Sequence, residues 1–233
     1  MKEKVNYNYP YWYYPNTEVL VNNFDIKDND LLVSTERKYV SLRMLDIKNN
    51  PVKGSFDENH LKNIHSYLFQ DVYPWAGEFR NCEIGKGIPF CYVSYISDYS
   101  KDIFRKLKKK NYYIDLPINE KFTCLVDLFG DLNSMHPFRE GNGRTQREFI
   151  TALGRINGLD FNISKVDRDE MISASIKSLL GDNRLLGQIF QSRTTVLSNE
   201  EQLNYIDKYC DKNLADFLKK SIGSDSINNG LSK

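Results

Sequence analysis

Between His136 and Arg147 the chain reads HPFREGNGRTQR, and residues of these types at this spacing could hold and activate a polyphosphate. Gly141 and Gly143 flank Asn142 where a helix should begin, so several backbone N–H groups would point into one concavity at a positive helix end, a geometry that binds phosphate. Arg144 and Arg147 lie three apart on one face of the first turn, where each can grip further phosphate oxygens. Glu140, just ahead of this nest, is electrostatically wrong beside a bare phosphate unless a divalent cation lies between them, which points to Mg²⁺. His136 closes the preceding helix and is the group in the cluster able to titrate near neutrality, which makes it the candidate general base. Each residue alone has an ordinary explanation: a capping glycine loop, a histidine opposing a helix dipole, a surface arginine pair. A connection that gathers base, metal ligand, anion nest and phosphate clamps is a poor way to build a mere turn.

The elements that must position this loop read as mostly helical. Phe122, Leu125, Val126, Phe129, Leu132 and Met135 form a stripe that starts near Asn119 and stops at His136-Pro137, so this helix should be central to the core. Phe149, Ile150, Leu153 and Ile156 define the helix after the loop, closed by Asn157-Gly158 as a left-handed cap. Upstream, Leu32, Thr35, Tyr39, Leu42 and Leu45 suggest one helix. A capping box of Ser55 and Glu58 opens another over about 56 to 70 with Leu61, Ile64, Leu68 and Val72 recurring at helical spacing. A helix from near Ser97 should turn Tyr99, Ile103, Phe104 and Leu107 inward. Downstream, Ser164 with Asp167 and then Asp182 each open a helix. The box of Ser198 and Glu201 opens a last one carrying Leu203, Ile206, Cys210, Leu214 and Leu218. Residues 78 to 96 place Gly85, Gly87 and Pro89 between short β-branched and aromatic runs, a hairpin pattern and the single candidate for sheet. The expected class is all-α with a small β-hairpin.

Composition excludes several alternatives. At 233 residues the length suits one domain, and 13 Phe with 15 Tyr supply a core that needs no staples. Lys and Arg number 32 against 31 Asp and Glu, a net charge of +1, so there is no global field for nucleic acid; the run RKLKKK at 105 to 110 reads as a solvated helix face. Cys82, Cys91, Cys124 and Cys210 form no C-x-x-C pair and read as reduced thiols rather than a zinc site or disulfide framework. No apolar run is long enough for a membrane helix, and the opening MKEKVNYNYPYWYY lacks the apolar segment of a signal peptide, so a cytoplasmic location without membrane contact is expected.

HPFREGNGRTQR resembles the signature of the Fic family, H-P-F-x-[D/E]-G-N-G-R-x-x-R, at every specified position. The likeness continues in HLKNIHSYLFQDVYPWAGEFR (60 to 80) and in YPNTEVLVNNFDIKD (14 to 28), the latter similar to the start of class I, toxin-like members, and covers roughly 14 to 191. The resemblance implies a Fic-fold helical bundle: an arm at 1 to 28, a core over about 29 to 195 with a flap at 83 to 96, and a C-terminal helix with a frayed tail over 196 to 233. It implies an Mg²⁺-dependent protein adenylyltransferase that moves AMP from ATP to a Tyr, Thr or Ser hydroxyl of a target protein. In that scheme His136 takes the hydroxyl proton and Glu140 holds Mg²⁺. Asn142, with the amides around Gly141 and Gly143, steadies the α-phosphate, Arg144 meets the β-phosphate and Arg147 the γ-phosphate. The flap pairs with a target strand, with Lys86, Gly87 and Phe90 as its candidate contacts. Kinase-like transfer of phosphate and a non-catalytic nucleotide-binding module are the alternatives; Gly143 favours AMP transfer over the former, and the intact His136 and Glu140 disfavour the latter. By family analogy the target would be a topoisomerase subunit. Members are restrained by a helix bearing S/T-x-x-x-E-G or S/T-x-x-x-E-N whose glutamate pairs with the second arginine, here Arg147. No Ser or Thr in this sequence is followed by Glu at the fourth position, so a toxin held by a small separate antitoxin is expected.

Overall fold

The computed structural model describes residues 12–86 and 88–228. Its centre is α5 (Asn142–Ile156), whose Phe149, Ile150, Leu153 and Ile156 have no exposure, each contributing about 1.5–3 kcal/mol by leaving water. It packs against α4 (Ile118–Met135), which buries the expected stripe from Leu125 to Met135 and part-buries Phe122, and against α2 (Glu58–Phe69) and α8 (Asn199–Tyr209). Around this group lie α1 (Asn29–Asp46), α3 (Val93–Lys109), α6 (Arg168–Leu179), α7 (Arg184–Gln191) and α9 (Lys212–Asn228). The chain is all-α with a hairpin, β1 (Gly85–Lys86) against β2 (Ile88–Pro89). Among the described residues no helix is long and apolar enough to cross a membrane, and the four cysteines are free. Asp102 pairs with Arg105 and Lys106 at 2.5 and 2.7 Å on the solvated side of α3, while Leu107 is buried opposite.

Several local expectations shift. In α1 the inward residues are Leu32, Val40 and the capping Ile47, whereas Leu42 and Leu45 are exposed. Two polar residues complete the inner face, Glu36 and Arg43, and Arg43 grips Asp71 at 2.7 and 2.8 Å. An apolar stripe cannot register them, so the reading from Leu42 and Leu45 rotated the helix. The Ser55 box does not form. Phe56 takes φ 50, Asp57 becomes the N-cap by accepting from the His60 amide at 2.8 Å, and Ser55 turns its hydroxyl to the Asp211 carboxylate. Ser164 lies in a short 3₁₀ turn, Asp167 alone caps α6, and Asn183 is the N-cap of α7, with Asp182 accepting from Arg184 N. The flap is shorter than 83 to 96, because α3 already begins at Val93, where the Glu83 carboxylate accepts its amide at 3.1 Å.

A second sheet was not expected: β3 (Leu159–Phe161) pairs antiparallel with β4 (Thr194–Val196), strands too short to show alternation. The C-terminal segment is two helices, not one. Cys210 is extended at φ −89, ψ 150, and Asp211 caps α9 by accepting from the Leu214 amide at 2.9 Å. At this break Gly54 docks, donating to Tyr209 O and accepting from Asp211 N. Residue 196 is the last of β4, and Ile206, Tyr209 and Leu218 are buried in the same core as α5. The expected tail beyond 228 and the arm before 12 lie outside the described residues.

Asp211 joins two segments through its cap and through Ser55, so Asp211→Ala should cost about 1–2 kcal/mol. A urea melt showing no change would disprove that coupling.

Candidate active site

The α4–α5 connection is a tight reversal. Pro137 cannot continue a helix, and His136 turns the chain at φ 42, ψ 60 while its amide still bonds Leu132 O at 3.0 Å. Its Nδ1 lies 3.2 Å from the Asn133 carbonyl, which can only accept, so Nδ1 carries the proton and Nε2 keeps a lone pair. Burial pushes His136 down to about 4, with the Arg80 charge adding and the Asn133 bond opposing. The imidazole is therefore neutral at pH 7, as a general base must be.

Gly141 is the N-cap of α5 with φ 83, and a Cβ there would lie 2.3 Å from the Phe69 ring. Glycine is required twice over, by conformation and by space. No side chain caps α5, so its first-turn amides stay open, the condition for holding an anion. At Gly143 a Cβ would press on Arg147 Nη1 at 3.3 Å. Asn142 bonds both ways to Phe138, accepting from its amide at 2.8 Å and donating to its carbonyl at 2.7 Å, so its side chain sets the loop's shape.

The two arginines differ. Arg144 Nη1 meets Glu36 at 2.7 Å, its Nη2 meets Glu140 at 3.3 Å, and its guanidinium lies over the Phe69 ring at 4.7 Å. Tyr73 donates to the other Glu36 oxygen at 2.5 Å. Arg147 makes no ion pair or hydrogen bond among the described residues, and burial with the Arg144 charge pulls its pKa below the usual guanidinium range. Both arginines line an open cavity of about 1090 Å³ with Glu36, Tyr73 and Glu140. That volume suits a nucleoside triphosphate. His136 is not part of the cavity wall; its ring is stacked under Phe90 at 3.7 Å.

Glu140 fits a hard cation. Its Oε1 accepts from Gly141 N at 2.8 Å and from Arg144, while Oε2 is in no hydrogen bond among the described residues. Mg²⁺ keeps several waters and needs only one or two carboxylates beside substrate phosphates. No cluster of three metal-binding side chains occurs among the described residues.

Every expected motif residue is thus brought to one loop. Of the flap contacts, Phe90 reaches His136, Lys86 joins the hairpin through its backbone pairing with Ile88, and Gly87 lies outside the described residues. Three supporting residues escaped the sequence reading. His65, buried beneath the loop, accepts from Gly77 N at 2.8 Å and donates to Glu140 O at 3.0 Å while stacked on Phe138. Its place between Ile64 and Leu68 on an apolar face was the available signal. Arg80 reaches the loop backbone from 56 residues away, and Glu36 reaches Arg144 from 108.

Gly141→Ala should fold poorly, losing several kcal/mol, on the order of 3, from strain and ring overlap. Unaltered thermal unfolding would refute the packing argument. Burial drives His65 to about 3 and His136 to about 4, both below the unfolded value near 6.5. The unfolded chain then binds more protons below about pH 6.5, so stability is full above that pH and falls towards pH 4 by up to about 1.4 kcal/mol per unit for each. Denaturant melts at pH 7 and pH 5 should differ; equal stabilities would show that neither imidazole is held neutral by the fold.

The Fic/DOC family model matches residues 55–153. The protein adenylyltransferase VbhT of Bartonella schoenbuchensis is 35% identical over 205 residues, 83% of this chain, which spans 43% of that protein's length. The probable protein adenylyltransferase y4lH of Sinorhizobium fredii is 36% identical over 171 residues, 72% of this chain and 88% of its own. The solved BepC protein of Bartonella tribocorum, with bound AMPPNP, superposes with a TM-score of 0.74 at 26% identity, covering 80% of this chain and 97% of that one. With the loop geometry, these matches place the molecule: the chain belongs to the Fic/DOC family.

Proposed function

We propose that this chain is a protein adenylyltransferase that moves AMP from ATP to a side-chain hydroxyl of a target protein. The observation that carries the reading is a neutral histidine with a free Nε2 lone pair at the head of the loop that leads into a glycine nest and two cavity-lining arginines. In this reading the polyphosphate rests on the open amides of α5, with Arg147 on the γ-phosphate and Arg144 on the β-phosphate. Glu36 and Tyr73 hold one edge of Arg144, leaving Nη2 to turn from Glu140 to the nucleotide. His136 takes the proton of the incoming hydroxyl, whose oxygen bonds to the α-phosphorus as pyrophosphate departs. Phe90 covers the face of the imidazole, while the Nε2 lone pair lies in the ring plane, so the stack steadies the base without closing it. Glu140 would hold Mg²⁺, which would supply charge neutralisation to the phosphates. The β1–β2 edge would receive a strand of the target. Arg147, open in this fold, is also where a glutamate from a separate antitoxin would pair, so control from outside the chain completes the proposal.

His136→Ala should lower AMP transfer by about 10²- to 10⁴-fold with ATP affinity nearly unchanged. Labelled ATP supplied to whole lysate with either protein checks this, and residual transfer within about twofold of wild type would eliminate the base. Glu140→Gln should flatten the Mg²⁺ dependence of transfer; an unchanged metal titration would remove Glu140 as the ligand.

A further inference from the structure

The roots of the flap are joined to the catalytic loop by a single buried cation. Arg80 is 3% exposed, and each of its three guanidinium nitrogens donates to a different backbone carbonyl. Nε reaches His136 O at 2.9 Å, Nη1 reaches Cys82 O at 2.9 Å and Nη2 reaches Cys91 O at 2.5 Å. Its own amide donates to Pro137 O at 2.8 Å. Cys82 and Cys91 bracket the hairpin, so the chain enters and leaves the flap through one planar fork whose third prong is the backbone of His136. Two further bonds lock this arrangement: Cys91 N to Ser134 O at 3.0 Å, and the Glu83 carboxylate to Val93 N, 3.6 Å from Arg80 Nη1 on its other oxygen. Phe90, adjacent to Cys91, then lies on the His136 ring.

A short hairpin does not need a buried charge. Aliphatic side chains would close its base at less desolvation cost, and burial does pull Arg80 below the usual guanidinium range. What only arginine supplies is a rigid fork with donors in three directions. We infer that Arg80 is a positioning residue that fixes both roots of the flap relative to His136 and thereby sets where a target strand presents its hydroxyl to Nε2. The inference rests on the adenylyl-transfer reading for its consequence, and on the geometry for its cause. Arg80 does not line the nucleotide cavity, so its effect should fall on hydroxyl presentation and not on ATP.

The test uses the full chain with Arg80→Lys and Arg80→Ala, read by fluorescent ATP-analogue binding, self-modification with α-labelled ATP, and amide hydrogen exchange. In the folded variants ATP affinity should stay within about twofold, transfer should drop by about 10- to 100-fold, and amides of 83–91 should exchange about tenfold faster while those of α4 and α5 hold. Added guanidinium ion should restore part of the transfer in Arg80→Ala, which a general structural defect would not allow. Unchanged flap exchange with unchanged transfer, or ATP affinity falling in step with transfer, would overturn the inference. If neither variant folds, the wild type decides: the Arg80 Nε–H and Cys91 amide should be as protected as α4, and exchange as fast as the hairpin tip would refute the tie. A wild type without transfer would remove the adenylyl-transfer reading instead, leaving the exchange arm to judge Arg80.

Discussion

The catalytic loop crosses the top of an apolar core, and the polar backbone that it brings there has to be satisfied without water. Asn142 and Arg80 take part of this load, and a neutral imidazole beneath the loop takes the Glu140 carbonyl. His65 takes the Gly77 amide on one nitrogen and gives its proton to the Glu140 carbonyl on the other, so both ring nitrogens are used and neither can be exchanged for a charged form. Stacked on Phe138 and Phe69, it sets the height of the loop above α2. The glycine at 141 follows from the same closeness, since the Phe69 ring that supports His65 occupies the space of any Cβ. The nest, the open amides and the orientation of Glu140 all depend on this support.

The signature's two arginines are chemically identical and three residues apart, yet the fold gives them opposite standing. Arg144 is held by two carboxylates and an aromatic face, so a phosphate must share it with Glu36. Arg147 has no such partner among the described residues, and its charge is offset only when an anion arrives. On the proposed function, electrostatic readiness for the outer end of a polyphosphate is built in, while the inner contact is kept in place by groups that compete with it. This division leaves Arg147 as the arginine of the pair without charge compensation among the described residues.

How much of this could be read beforehand depended on sequence distance. The loop from His136 to Arg147, the α4 stripe and the Ser198 box were legible because partners lie within a few residues, and the box forms as expected with Ser198 and Glu201 reciprocally bonded. Glu36 was not, because its meaning comes from an arginine 108 residues away and a tyrosine 37 away. The inward face of α1 was misjudged for the same reason, two of its inner residues being charged. The start of α3 was hidden by β-branched and aromatic residues, VSYI, that resemble a strand; the Glu83 carboxylate at its first amide outweighs that propensity. The Cys210 break follows from docking of Gly54, which no local pattern announces.

The docking of α8 against α5 has a temporal consequence. Gln202 closes the Ile156 carbonyl at 2.8 Å, Tyr209 accepts from Arg155, and Gly54 waits for the break at Cys210. All of these contacts wait on residues made after the signature loop, from Gln202 to Asp211. A nascent polypeptide that has just exposed its glycine nest still has one flank of α5 open to water and the 52–55 segment undocked. Contacts of such high sequence separation form late in folding. The order of translation thus leaves the packing around α5 incomplete until synthesis has passed the signature by some seventy residues, about the span from Arg147 to Leu218.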